Sequence, residues 1–228
     1  MENRLEQQVA FIREIDKEKC IGRQTYLTGA IRKENDAEHA WHIALMAIFM
    51  YANSLNIGIR KENDAEHAWH IALMAILLAE HANEPIDVLK TVTMLLIHDL
   101  VEIDAGDTYA YDAAAKATEQ EREAKGADRI FGMLPPDQGR AFRALWEEFN
   151  RGDTPEARFA HAMDNFQPVM LNAATDGKAW AEHGVRLSQI LKRNQITPDG
   201  SAQLWEYAYQ HFILPNVEQG RIRNDTNA

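Results

Sequence analysis

The sequence has almost no cysteine and no long hydrophobic run. The single cysteine, Cys20, has neither a partner for an internal disulfide nor a CxxC motif, which favours a reducing, cytoplasmic setting. The longest apolar stretches, residues 43–52 and 71–79, are far shorter than the about 20 residues that span a bilayer. The N-terminal residues 1–6 are charged and polar, so we expect neither a targeting segment nor a membrane partner.

Positive charge is also scarce. The chain has 24 Lys and Arg residues against 35 Asp and Glu residues, which gives a formal net charge of -11. A surface of this sign repels a nucleic-acid polymer, although a local basic pocket could still bind a single phosphate group. The composition therefore favours a small anionic ligand over a polyanion.

Alternating runs of β-branched residues are missing, and apolar residues recur instead at helical spacing. The sequence therefore predicts an all-α fold, with residues 1–228 in a single domain. Helices are predicted at residues 5–19, 36–53, 64–83, 86–102, 113–131, 137–150, 154–173, 180–193 and 202–216.

One segment of eighteen residues occurs twice without a single change. Residues 31–48 and residues 59–76 both read IRKENDAEHAWHIALMAI, an identity too complete for a diverged structural repeat. We interpret it as a tandem duplication. In each copy an Asn followed three residues later by a Glu has capping-box spacing and predicts a helix start, at Asn35 and Glu38 or at Asn63 and Glu66.

The most informative pair of residues is His98-Asp99, which follows the apolar run Met94–Ile97. A run this apolar predicts a core segment, and burying two ionisable groups there costs several kcal/mol unless they are paired or bound to a metal. The alternative is a core histidine with satisfied hydrogen bonds beside a capping aspartate.

Two further features favour a metal site. Each repeat copy contains EHAWH, which places two histidines three residues apart on one helix face, either His67 and His70 or His39 and His42. Asp164 is an isolated acidic residue in an apolar helix. Two imidazoles and two carboxylates suit one divalent transition metal such as Mn, Co, Fe, Ni or Zn.

Two acidic residues follow the His98-Asp99 pair. Glu102 lies four residues after His98, so a continuous α-helix would place both on one face, where Glu102 could orient or deprotonate a water molecule. Asp107 follows Gly106, which permits a sharp turn that directs the Asp107 carboxylate towards the end of the helix. The alternative for Glu102 is a solvated carboxylate in the last helical turn.

Three segments occur in a recognisable order: EHAWH, MLLIHDLVEIDAGD and LWEEFNRGDTPEARFAHAMD. Together they resemble the HD-domain metal-dependent phosphohydrolases, in the branch of the bacterial 5'-deoxynucleotidases and their eukaryotic relatives. The resemblance extends from about Phe11 to about Leu191. It implies an HD-domain helical bundle in which a His, the HD pair and a distal Asp hold one divalent metal ion.

The resemblance also implies roles for individual residues. The metal ligands are His67 (with His39 as the alternative), His98, Asp99 and Asp164; Glu102 and Asp107 act in catalysis or substrate positioning; and Arg23 binds the substrate phosphate. Some relatives carry Trp after this Arg as part of selecting deoxyribose, whereas this chain has Gln24. The sugar preference therefore does not carry over.

The duplication leaves two histidines for one ligand position. Arg23 has family-like spacing to His39, whereas His98 has family-like spacing to His67. We favour His67, because its helix continues into the Pro85 turn and then directly into the helix of the HD pair. A site built on His39 would require residues 49–76 to leave the core and return to it.

The expected activity is hydrolysis of a nucleoside 5'-monophosphate to nucleoside and phosphate by a cytoplasmic enzyme. One alternative is an HD phosphohydrolase that acts on another nucleotide or phosphomonoester. Another is a metal-binding helical protein without catalytic activity, in which the duplication has displaced part of the site. We also expect a homodimer, because the extra repeat copy carries an apolar stripe that favours self-association.

Overall fold

A computed structural model describes residues 22–26, 33–35, 62–106 and 113–226. The chain divides into two compact units, Met1–Leu73 and Met74–Ala228. Helices make up most of the described residues, which confirms the all-α fold class, and none of them is long and apolar enough to cross a membrane. They are α1 (Asp64–Leu78), α2 (Val88–Ile97), α3 (Glu102–Ala105), α4 (Ala113–Gly132), α5 (Pro136–Arg151), α6 (Pro155–Ala174), α7 (Lys178–Glu182), α8 (Leu187–Arg193), α9 (Thr197–Gly200), α10 (Ala202–Ala208) and α11 (Leu214–Glu218).

The first unit contains a short antiparallel strand pair that the sequence did not predict. Strand β1 (Gly22–Tyr26) pairs with β2 (Lys33–Asn35), with Gly22 opposite Asn35 and Tyr26 opposite Lys33. The segments read GRQTY and KEN, and neither contains the alternation of apolar and polar residues that predicts a strand. The helices predicted at residues 5–19 and 36–53 lie outside the described residues.

Helix α1 begins as the second repeat copy predicts. The backbone N–H of Glu66 donates to Oδ1 of Asn63 at 3.0 Å, and the backbone N–H of Asn63 donates to Oε2 of Glu66 at 3.1 Å. These reciprocal bonds form the predicted capping box and satisfy two backbone donors at the start of the helix. The first turn of α1, which carries His67, is therefore fixed by its own sequence.

Helix α6 lies at the centre of the second unit and packs against α2, α5, α9 and α10. Thr154 caps its start by accepting a hydrogen bond from the backbone of Ala157 at 3.2 Å. The approach of α9 is close enough to require a glycine, since a Cβ atom on Gly200 would lie 2.1 Å from the carbonyl oxygen of Arg158. Most buried residues of α6 are apolar: Ala157, Phe159, Ala160, Ala162, Met163, Phe166, Val169 and Met170.

Two predicted features near the C-terminus are wrong in detail. The helix predicted at 180–193 is two helices, α7 and α8, because Gly184 adopts a left-handed conformation (φ +59°) between them. The break predicted at residues 198–200 is instead helix α9, which carries Pro198 in its first turn. Proline is compatible with this position because the first backbone N–H groups of a helix have no intrahelical partner.

Helix α4 packs closely on the segment that contains the HD pair. Ile97 and Val101 on that segment are buried together with Ala127, Phe131 and Trp146 of α4 and α5. A Cβ atom on Gly126 would lie 2.6 Å from the carbonyl oxygen of Val101. Glycine at position 126 therefore permits the backbone contact that supports this segment.

We expect Gly126→Ala to lower the free energy of unfolding by about 1–3 kcal/mol, the usual cost of overpacking a closed contact. Gly132→Ala in the same helix is the matched control, because a Cβ atom there would meet nothing within 4 Å. Its effect should stay below about 1 kcal/mol. Urea unfolding of both variants measures the difference, and equal stability of the two would contradict the close contact.

Candidate metal centre

The HD pair lies in a break between two α-helices. Helix α2 ends at Ile97, residues His98–Val101 form a 3-10 turn, and α3 begins at Glu102. The single helix predicted at residues 86–102 is therefore divided. A 3-10 segment inside a helical run is often found at a functional site.

The hydrogen bonds of His98 fix which of its ring nitrogens carries the proton. Nδ1 of His98 lies 2.9 Å from the backbone carbonyl oxygen of Leu95, and the bond is buried. A carbonyl oxygen can only accept, so Nδ1 is the donor. Nε2 then points the other way, 3.0 Å from Oδ1 of Asp99 and 3.9 Å from Oδ1 of Asp164.

A bound cation would stabilise this arrangement. In the neutral ring with a proton on Nδ1, Nε2 presents a lone pair towards two carboxylate oxygens, and three electron-rich atoms repel one another. A metal ion bound among these atoms removes the repulsion. The donor set of one imidazole and two carboxylates therefore fits a divalent transition metal.

Among the residues that the structure describes, His67, His98 and Asp164 each offer one ligand atom of a kind that could hold a metal ion. His98 and Asp164 lie in the second unit, whereas His67 lies in the first. His98 is buried, whereas His67 and Asp164 are partly exposed. Asp99 contacts His98 but is not one of these three. The identity of the metal does not follow from the geometry, because several divalent ions accept these ligands.

His67 lies in the first turn of α1 beside an acidic residue. Nδ1 of His67 is 3.8 Å from Oε2 of Glu62, and Nδ1 of His70 is 4.0 Å from the other oxygen of the same carboxylate. A carboxylate beside a histidine favours a proton on the near nitrogen and leaves the far nitrogen available as a ligand.

An ion-pair cluster connects helix α2, which directly precedes His98, with the helix that carries Asp164. Nζ of Lys90 on α2 lies 2.6 Å from Oε1 of Glu148 on α5 and 3.5 Å from Oε2 of Glu156 on α6. Oε1 of Glu156 also accepts a hydrogen bond from the backbone of Asp87 at 3.0 Å. The hydrogen bond with Glu148 raises the pKa of Lys90. The hydrogen bond from Asp87, which outweighs the opposing effect of burial, lowers the pKa of Glu156.

The sequence did not predict that two aromatic residues near His98 belong to the site. The ring of Phe149 lies 4.9 Å from the His98 ring and 4.2 Å from the His161 ring, measured between centroids. Burial is the main cause that lowers the pKa of His161, so its ring is neutral at physiological pH. The sequence signal that could have identified His161 is its three-residue spacing from Asp164, which places both residues on one side of α6.

The other predicted site residues stand as follows. Glu102 is partly buried at the start of α3. The 3-10 turn between His98 and Glu102 advances about 120° per residue. The geometry of a regular α-helix, which would place both side chains on one face, therefore does not apply. Arg23 lies in β1. Asp107 and His39 are outside the described residues.

A comparison with protein families identifies the class of this chain. The model of the HD domain matches residues 15–59 and residues 52–205, and each match contains one copy of the repeat. These matches cover most of the chain. The protein therefore belongs to the HD-domain family.

Individual proteins similar to this chain agree with that class. A crystal structure described as a "Predicted metal-dependent phosphohydrolase" from Magnetospirillum magnetotacticum is 42% identical, covers 96% of this chain and 95% of its own, and superposes with a TM-score of 0.66. A 5'-deoxynucleotidase from Danio rerio is 30% identical over 36% of this chain and 40% of its own length. One from Dictyostelium discoideum is 30% identical over 41% and 49%. The chain thus matches less than half the length of these two curated relatives.

We expect Glu156→Gln to lower the free energy of unfolding by about 1–2 kcal/mol at pH 7, because it removes charge-assisted hydrogen bonds. A carboxyl with a lowered pKa in the folded protein stabilises the fold above its unfolded pKa, and this contribution is lost as the pH falls through the folded pKa. The difference from the wild type should therefore shrink below about pH 4.

Urea unfolding at pH 7, 5 and 3 measures this difference. Glu182→Gln is the control, because Glu182 is exposed and its ion pair with Lys178 is long, with 3.9 Å between Nζ and Oε1. Its effect should stay below about 0.5 kcal/mol. If the difference in the free energy of unfolding between Glu156→Gln and the wild type does not change with pH, the lowered pKa of Glu156 is contradicted.

Proposed function

We propose that the protein is a metal-dependent phosphohydrolase that converts a nucleoside 5'-monophosphate to nucleoside and phosphate. The observation that carries the proposal is the arrangement of His98, whose Nε2 faces Asp99 and Asp164 while its Nδ1 is held by the carbonyl of Leu95. Membership of the HD-domain family and the similarity to a metal-dependent phosphohydrolase support the coarse activity.

In this proposal His67, His98, Asp99 and Asp164 hold one divalent ion. When bound, such an ion acts as a Lewis acid that lowers the pKa of water and polarises a phosphoryl oxygen. The two carboxylates reduce the positive charge of the ion. Nδ1 of His98, bound to the Leu95 carbonyl, keeps the ring in the tautomer that can donate a lone pair.

Glu102 and Asp107 act on water and substrate. Hydrolysis adds the oxygen of water to phosphorus, breaks the bond between phosphorus and the 5'-oxygen, and transfers a proton from water to the departing alcohol. Glu102 accepts the proton of the attacking water, and Asp107 positions the substrate. Arg23 offsets the charge of the phosphate. In an acidic chain with a net charge of -11, a local cationic group favours a small anion there.

The choice of a nucleoside monophosphate follows from the curated relatives, which are named 5'-deoxynucleotidases. Because this chain matches less than half of the length of these relatives, the substrate is part of the proposal. Gln24 follows Arg23, so both ribose and deoxyribose substrates belong in the test.

The test uses the purified chain, stripped of metal and reloaded with Mn²⁺ or Co²⁺. We expect phosphate release from nucleoside monophosphates, with no pyrophosphate or triphosphate released from nucleoside triphosphates. Asp164→Asn should lower turnover at least about 100-fold, since it removes an anionic ligand at little cost in volume. Asp137→Asn, at an exposed carboxylate on α5, should keep wild-type turnover.

Either of two results would refute the proposed activity. One is near-normal turnover of Asp164→Asn. The other is a reloaded wild type that binds metal and hydrolyses none of these substrates. Pyrophosphate or triphosphate as the main product would instead indicate an HD phosphohydrolase with a different nucleotide substrate.

We further propose that the second repeat copy supplies the metal ligand. His67→Ala should then lower metal affinity at least about 10-fold, and His39→Ala should leave it unchanged. The two histidines stand in identical eighteen-residue segments, so each variant is the sequence-matched control of the other. Isothermal titration of the stripped proteins with Mn²⁺ measures both affinities. The opposite order would assign the ligand to the first copy.

A further inference from the structure

We infer that His161 is a positioning residue of the candidate metal centre, which holds the Phe149 ring against the ligand His98. The inference rests on the proposed function for the role of His98. It adds a residue that the ligand set does not contain. His161 contributes through Phe149, and no direct bond to the metal is involved.

The first observation is the double hydrogen bond at the carbonyl oxygen of Phe149. Nε2 of His161 lies 2.8 Å from this oxygen, so Nε2 carries the proton and donates it. The backbone N–H of Gly152 donates to the same oxygen at 3.0 Å. A carbonyl oxygen has two lone pairs, and both are used here. The backbone of Phe149 is thus fixed from the C-cap of α5 and from α6 together.

The second observation is the chain of ring contacts. The centroids of His161 and Phe149 are 4.2 Å apart with planes inclined by 31°, and those of Phe149 and His98 are 4.9 Å apart with planes inclined by 53°. The distance from Phe149 to His98 is in the range of favourable aromatic contacts, about 4.5–7 Å, and the rings of Phe149 and His161 are slightly closer than this. Phe149 is 6% exposed, so its ring has little room to move away from His98.

The third observation is the position of His161 relative to the second ligand. Asp164 follows it by three residues on α6, which is less than one helical turn. A single rigid helix therefore carries Asp164 directly and controls His98 through Phe149. A residue of this kind sets how well the two ligands are aligned, and such supporting contacts change metal affinity by about 10–100-fold.

The test measures Co²⁺ affinity and the visible absorption spectrum of the Co²⁺ form, together with the thermal stability of the metal-free protein. His161→Leu keeps an apolar side chain of similar size but removes the hydrogen bond. His161→Gln is the conservative rescue variant, because its amide nitrogen can reach the position of Nε2 and donate to the Phe149 carbonyl.

We expect His161→Leu to bind Co²⁺ about 10–100-fold more weakly and to change the Co²⁺ spectrum, and His161→Gln to remain within about 3-fold of the wild type. Wild-type affinity and spectrum in His161→Leu would overturn the inference, even if the variant is less stable. Equal loss in His161→Gln and His161→Leu would overturn it as well.

A second pair of variants decides the matter if His161→Leu does not fold. Phe149→Leu removes the ring that contacts His98. Phe212→Leu removes a ring of similar exposure, 5%, which contacts the rings of Phe166 and Tyr207. Weaker Co²⁺ binding in Phe149→Leu alone supports the inference. Equal Co²⁺ affinity in the two variants overturns it.

The Co²⁺ measurements do not depend on turnover, so they separate this inference from the proposed activity. A wild type that binds Co²⁺ but hydrolyses no nucleotide refutes the proposed activity. In that case the Co²⁺ affinities of the His161 variants still decide the role of His161. A wild type that does not bind Co²⁺ overturns the inference together with the metal centre.

Discussion

The hydrogen bond between Nδ1 of His98 and the carbonyl of Leu95 is the interaction on which the candidate site depends. It is buried, and it is made within a single turn of the chain, so the α2 backbone itself determines that Nδ1 is a donor. With Nδ1 committed to a carbonyl, Nε2 must face Asp99 and Asp164. The direction of the Nε2 lone pair towards these two carboxylates therefore follows from a local backbone interaction.

Tertiary contacts then bring the second carboxylate to this ring. Asp164 belongs to α6 and His98 follows α2, and the Lys90 cluster connects these two helices with α5. Lys90 and Glu156 are only partly exposed, so solvent screens their attraction less than at the surface. On the other side, the contact between Gly126 and the Val101 carbonyl supports the 3-10 turn. The site is consequently held by contacts from several helices, and single substitutions outside the ligand set should affect it.

Much of this structure could be predicted from the sequence, and the exceptions have physical causes. Apolar spacing and capping residues predict helices α1, α4, α5 and α6, because these signals act within a few residues. The 3-10 turn at His98 was not predictable in this way, since α and 3-10 turns satisfy the same apolar pattern. Phe149 and His161 were missed for a related reason. Their contact with His98 joins residues far apart in sequence, and a buried aromatic residue in a helix is typical of any core.

The duplicated segment shows how far local sequence determines structure. Glu34 and Asn35 lie in strand β2, whereas the identical pair Glu62 and Asn63 precedes helix α1 outside any regular element. The capping box of Asn63 and Glu66 is encoded within four residues, yet the same residue types also occupy a strand in the other copy. Tertiary context therefore distinguishes the two copies. Two identical EHAWH motifs accordingly do not imply two metal sites, because His98 and Asp164 occur once and can complete only one.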